Sequence, residues 1–91
     1  MQYPGSSNME GLTYSILALS GEVGEVANEQ KKILREQLRV IPSYRKLKLL
    51  LELGDVLWYL DAVAFELETT LEEIADLNVE KLTARRAQAN G

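Results

Sequence analysis

Residues 47–67 read LKLLLELGDVLWYLDAVAFEL, and the reading of this stretch decides the fold. Leu47, Leu49, Leu50, Leu51, Leu53, Val56, Leu57, Trp58, Leu60, Ala62, Val63, Ala64, Phe65 and Leu67 are apolar or small, which predicts a helix buried around most of its circumference. Glu52 and Asp55 interrupt it three residues apart. An ionised carboxylate in such surroundings costs on the order of several kcal/mol unless a cation or a set of donors compensates. Glu22-Val23-Gly24-Glu25 repeats the spacing in a second predicted helix. Each pair spans about 60° of helix circumference and so occupies one face. The chain contains no histidine and no cysteine. Four converging carboxylates therefore predict a site for a hard divalent cation, Mg²⁺ or Mn²⁺.

Composition sets limits around that site. Ninety-one residues make one small domain that buries a modest fraction of its own surface, so self-association is expected. Without cysteine there are no disulfides, no thiol catalysis and no thiolate zinc site. No long apolar run lacks a charge, and the opening Met1-Gln2-Tyr3-Pro4-Gly5 lacks the basic-then-apolar pattern of a leader. The expectation is a soluble, intracellular and cytoplasmic protein without a membrane partner. The net charge of −4 argues against a nucleic-acid polymer as partner. Setting the four paired acids aside leaves ten acids against ten Lys and Arg. The remaining surface is then not hostile to a small anion.

Along the chain, residues 1–7 read as an extended lead, with Ser7 and Glu10 forming a capping box. A first helix begins near Asn8 and carries Leu12, Ile16, Leu17, Leu19, Val23, Val26, Ala27, Ile33 and Leu34 at helical intervals. Gly21 and Gly24 lie inside it, each at a cost of about 1 kcal/mol relative to alanine. Either another helix or a ligand comes close there, or the glycines are merely tolerated. Pro42 places a loop over 38–43. Ser43 then caps a second helix running from Tyr44 to about Glu68. Thr70 and Glu73 form a capping-box signature for a third helix that reaches about Arg86, and residues 87–91 form a fraying tail. No strand pattern is present. The fold class is all-α, a helical hairpin plus a third helix, assembled into an oligomeric bundle.

Helices one and two should pack antiparallel, which opposes the two acid faces if the register allows. Counting from the loop leaves the pairs mismatched by roughly 6 Å, and a first helix ending nearer Arg35 would level them. Glu29 continues the first acid stripe, either as a further ligand or as a partner for Lys32 or Arg35. Trp58 and Tyr59 follow Asp55 closely enough for one to project beside the metal face, where it would stack on a base or else simply pack. Asp61 and Glu66 face a subunit boundary or solvent.

Three blocks in order resemble the MazG-like nucleoside triphosphate pyrophosphohydrolases. Leu17 to Lys32, LALSGEVGEVANEQKK, is similar to the family's first metal motif, and Leu51 to Leu60, LELGDVLWYL, to its second. Asn78-x-x-Lys81-Leu82-x-x-Arg85 is similar to the closing block. The resemblance implies cleavage of a nucleoside or deoxynucleoside triphosphate between the α and β phosphates. It implies that Glu22, Glu25, Glu52 and Asp55 hold Mg²⁺, with Glu22 or Glu25 also acting as base. Lys31, Lys32, Asn78, Lys81 and Arg85 would meet the phosphates or nucleotide, the last three from a neighbouring subunit of a homodimer or homotetramer. Two rivals stand beside this reading. A di-iron bundle needs Glu-x-x-His pairs that a chain without histidine lacks. A non-catalytic oligomerisation or partner-binding module would use its acids as surface or interface pairs.

Overall fold

The computed structural model describes residues 9–90, and there the chain forms three helices: α1 Met9–Arg35, α2 Ser43–Glu66 and α3 Leu71–Asn90. No strand occurs among the described residues. The extended lead and the Ser7 half of the first capping box lie outside them.

α1 ends at Arg35, the shorter of the two limits that the acid register called for. Glu36 and Gln37 close it with backbone bonds to Lys32 and Leu34, and Gln37 takes a left-handed conformation at φ 55°. Pro42, not Ser43, sits at the start of α2, and no side chain caps that end. Proline has no N–H and its φ suits a helix start. Its carbonyl accepts from the amides of Arg45 and Lys46.

α2 stops at Glu66, two residues short of the expected Glu68. The amide of Glu68 reaches the carbonyl of Phe65, that of Thr69 reaches Ala64, and Glu68 turns left-handed at φ 58°. That pair of bonds is the Schellman closure of a helix end. The expected cap of α3 is present in half: Thr70 Oγ1 accepts from the amide of Glu73 at 3.1 Å, while the Glu73 carboxylate takes the Thr69 hydroxyl at 2.8 Å. α3 then continues past Arg86 through Ala87, Gln88 and Ala89, residues that favour helix or tolerate it, to Asn90.

α1 and α2 pack against each other, whereas α3 meets α2 at few residues and does not pack on α1. The apolar core of the described residues is small: Ile33, Val63 and Ala64. This corrects the expectation for residues 47–67. Leu47, Leu50, Leu51, Leu53, Leu57, Trp58 and Phe65 are all exposed, because a single neighbouring helix covers a single face. Gly21 and Gly24 have open space where a side chain would start, so no helix of the same chain needs them small. Glu66 is also corrected, since it is buried at 7% exposure, with no hydrogen-bond partner for either oxygen among the described residues.

Candidate metal centre

Antiparallel packing of α1 on α2 brings Glu22 to the pair on α2. Carboxylate oxygens of Glu22, Glu52 and Asp55 lie within 4.8 Å of one another, Glu22 and Glu52 half-buried and Asp55 exposed. The i, i+3 spacing puts Glu52 and Asp55 on one face, and the length of the 36–42 loop sets Glu22 opposite that face. Partial burial raises the Glu22 carboxyl above its ordinary value, and the charges of Asp55, Glu52 and Glu25 raise it further. Mutual repulsion of this kind favours a bound cation. Glu25 is near enough to be felt by Glu22 but is not part of the gathered trio.

The donor set fits a hard cation. All three ligands are oxygens, as Mg²⁺ and Mn²⁺ prefer. Octahedral Mg²⁺ with bonds of about 2.1 Å places its oxygens roughly 3 to 4 Å apart, so a spread of up to 4.8 Å needs only a small closure of side chains.

The surrounding charges are ordered along the hairpin. Glu29, buried at 4% exposure, takes Lys32 Nζ at 3.2 Å and lies 3.6 Å from an Arg45 guanidinium nitrogen. It is therefore the partner of Lys32, one of its two expected roles, and Arg45 replaces Arg35 as the second cation. Arg45 also grips Glu36 through Nε at 3.0 Å and a terminal nitrogen at 2.6 Å. That bidentate grip holds the Glu36 carboxyl below the usual carboxylate range. One turn further along α2, Lys48 Nζ lies 3.3 Å from Glu52 Oε1.

Tyr59 borders the trio. Its phenol is pushed up first by Tyr14, which faces it and hydrogen-bonds it, then by burial and by the charges of Glu22 and Asp55. Trp58 is 73% exposed. Lys31 is exposed. Asn78 and Lys81 line one shallow groove on α3 with Ile74 and Leu77, and Arg85 is exposed beside them. Because α3 does not pack on α1, one chain does not gather these residues around Glu22.

Sequence reasoning passed over Tyr14, Arg45 and Lys48. The signal for all three was the hairpin register. The antiparallel offset that sets Glu22 against Glu52 also sets Glu29 against Arg45 and Tyr14 against Tyr59, and Lys48 precedes Glu52 by one turn.

No described helix is long and apolar enough to cross a membrane. The profile of a family described as the MazG nucleotide pyrophosphohydrolase domain matches residues 11–89. Gene 37 protein of Mycobacterium phage L5 is 41% identical over 87 residues, spanning 92% of this chain and 76% of that protein. No solved structure matches.

Proposed function

This chain belongs to the MazG nucleotide pyrophosphohydrolase family, and from that premise we propose that it hydrolyses a nucleoside or deoxynucleoside triphosphate to monophosphate and pyrophosphate, with Mg²⁺ held by Glu22, Glu52 and Asp55. The observation that carries the proposal is the meeting of those three carboxylates across two helices. A divalent cation bound there supplies neutralisation of the polyphosphate charge and a lowered pKa for a reacting water. The chain's own residues do the rest. Glu25 lies one turn from Glu22 and outside the trio, so it is the carboxylate we assign to accept the proton of the attacking water. Tyr59 closes the nucleoside end.

Lys31 and Lys32 lie on α1 beyond the acids and attract the leaving phosphates, Lys32 by exchanging Glu29 for them. Asn78, Lys81 and Arg85 serve the site of a neighbouring copy in a homodimer or homotetramer. The departure of α3 from the hairpin and the exposed apolar face of α2 support that arrangement.

The test follows pyrophosphate release from a panel of common and modified triphosphates, with Mg²⁺ and with EDTA. Wild-type protein releases pyrophosphate only with the metal. Glu52→Gln lowers the rate by about 10²-fold or more, the scale of losing several kcal/mol of charge stabilisation, while its helical circular dichroism is unchanged. Absence of Mg²⁺-dependent turnover across the panel, or a Glu52→Gln variant as active as wild type, overturns the proposal and favours the non-catalytic module.

A further inference from the structure

Among the described residues, the one ion pair that involves the acidic trio is Lys48 Nζ with Glu52 Oε1 at 3.3 Å. The neighbouring ion pairs are made to carboxylates outside the trio. Arg45 is held by Glu36 and Glu29, and Lys32 by Glu29. Lys48, like Lys32, is half exposed and held by a single carboxylate, but its carboxylate is a member of the trio. It is anchored one turn from Glu52 on a flexible four-carbon stem, so its ammonium can leave the oxygen and still stay within reach of whatever that carboxylate binds.

Placement gives the pair its consequence. Three carboxylates within 4.8 Å repel one another, and an ammonium on Glu52 offsets part of that repulsion. A divalent cation recruited by the same carboxylate must displace the ammonium, and afterwards the two positive charges repel. A polyphosphate reverses the sign, because it offers the displaced ammonium an anion beside the site it has left.

Building on the metal-centre reading above, we propose that Lys48 is an internal counter-ion that competes with the divalent cation for Glu52 and, when displaced, receives the polyphosphate of the nucleotide. The ammonium weakens metal binding in the absence of nucleotide and strengthens nucleotide binding in the presence of metal. Lys48 thereby couples the two ligands.

The experiment compares wild type, Lys48→Met and Lys48→Arg, each stripped with chelator and checked for unchanged helical circular dichroism. Mn²⁺ affinity is measured by calorimetry and by electron paramagnetic resonance without nucleotide. KM is then measured at saturating Mg²⁺ on the best substrate from the panel. Lys48→Met should bind Mn²⁺ about two- to fivefold more tightly, the range set by the strength of a half-exposed ion pair, while its KM rises several-fold. Lys48→Arg should stay near wild type in both. A structural defect would weaken both ligands together, so opposite shifts are the signature. Lys48→Met with Mn²⁺ affinity equal to or below wild type overturns the counter-ion, and an unchanged KM overturns the hand-over to phosphate. Failure of wild type to bind Mn²⁺ at all sinks the metal centre itself, and Lys48's role with it.

Discussion

Glu66 is the carboxylate that this hairpin leaves without an answer. It lies in the last turn of α2, where the helix dipole already disfavours negative charge, and neither of its buried oxygens has a hydrogen-bond partner among the described residues. A buried polar group left unsatisfied costs about 1–3 kcal/mol, so Glu66→Met, similar in reach and free of the charge, should stabilise the fold by an amount in that range. A chemical-denaturation midpoint unchanged or lowered in Glu66→Met would contradict this. The contrast with Glu52 marks what single residues disclose. Glu52, Asp55 and Glu22 were legible as a group because spacing and an apolar setting left them one sensible use. Glu66 sits in the same oily helix and carries the same charge. It is nevertheless buried, which its place in the apolar periodicity does not disclose. Glu25 was drawn into the group by spacing and by the resemblance together, and it lies adjacent to the trio whose oxygens are gathered within 4.8 Å.

At the scale of elements, the hairpin is held in register by charge near its loop. Arg45 joins the end of α1 to the start of α2 through Glu29 and Glu36. The Glu36 carboxyl is depressed first by its hydrogen bond from Arg45 and then, against a smaller opposing burial, by the charges of Arg45 and Arg35. A depressed carboxyl contributes stability that is fully present above its ordinary pKa and is lost as pH falls through the folded value. Chelator-treated wild type should therefore be more stable than Arg45→Met near neutrality, with the gap closing below the usual carboxylate range. A gap that persisted at pH 2 would assign Arg45 to packing instead. Glu22 runs in the opposite sense. Its raised carboxyl means that metal-free protein loses part of its stability as pH rises through that value.

The same loop tests backbone conformation. Gln37 holds φ at 55°, a region that disfavours side chains with a Cβ by about 1–2 kcal/mol. Gln37→Gly should stabilise the hairpin by roughly 0.5–1 kcal/mol, less than the strain because glycine also frees the unfolded chain. Thermal melting decides it. The helices themselves were legible in outline. Their ends moved by a few residues because the closures are made by backbone bonds at Gln37 and Glu68, which no glycine announces.

The whole molecule is open for a chain of this length. Its radius of gyration is 17.3 Å, within extents of 52 × 44 × 17 Å, where a compact chain of ninety residues would measure about 12 Å. The excess comes from α3 leaving the hairpin, and it leaves α2 bare. Leu47, Leu51, Gly54, Trp58, Asp61 and Phe65 follow alternating steps of four and three and so form one seam, whose four large apolar members are all exposed. The apolar run was legible as something to be buried; what covers it was not, because composition cannot distinguish a core within one chain from a core shared between copies. A seam of this kind is what a second copy of the chain would cover in the proposed assembly, and a stable contact would need about 800 Å² from each partner.

Leu51 gives the sharpest test of that assembly, since it is 60% exposed in the single chain and points away from any residue that packs it. If the chain works alone, Leu51→Glu replaces an exposed apolar group by a charged one and should change stability by no more than about 0.5 kcal/mol. If the seam is shared, the same change buries carboxylates in an apolar contact. Sedimentation should then show wild type as a multimer and Leu51→Glu as a monomer with a lowered melting temperature. A wild-type protein that sediments as a monomer at micromolar concentration would remove the shared seam, and with it the route by which Asn78, Lys81 and Arg85 reach a neighbour's carboxylates.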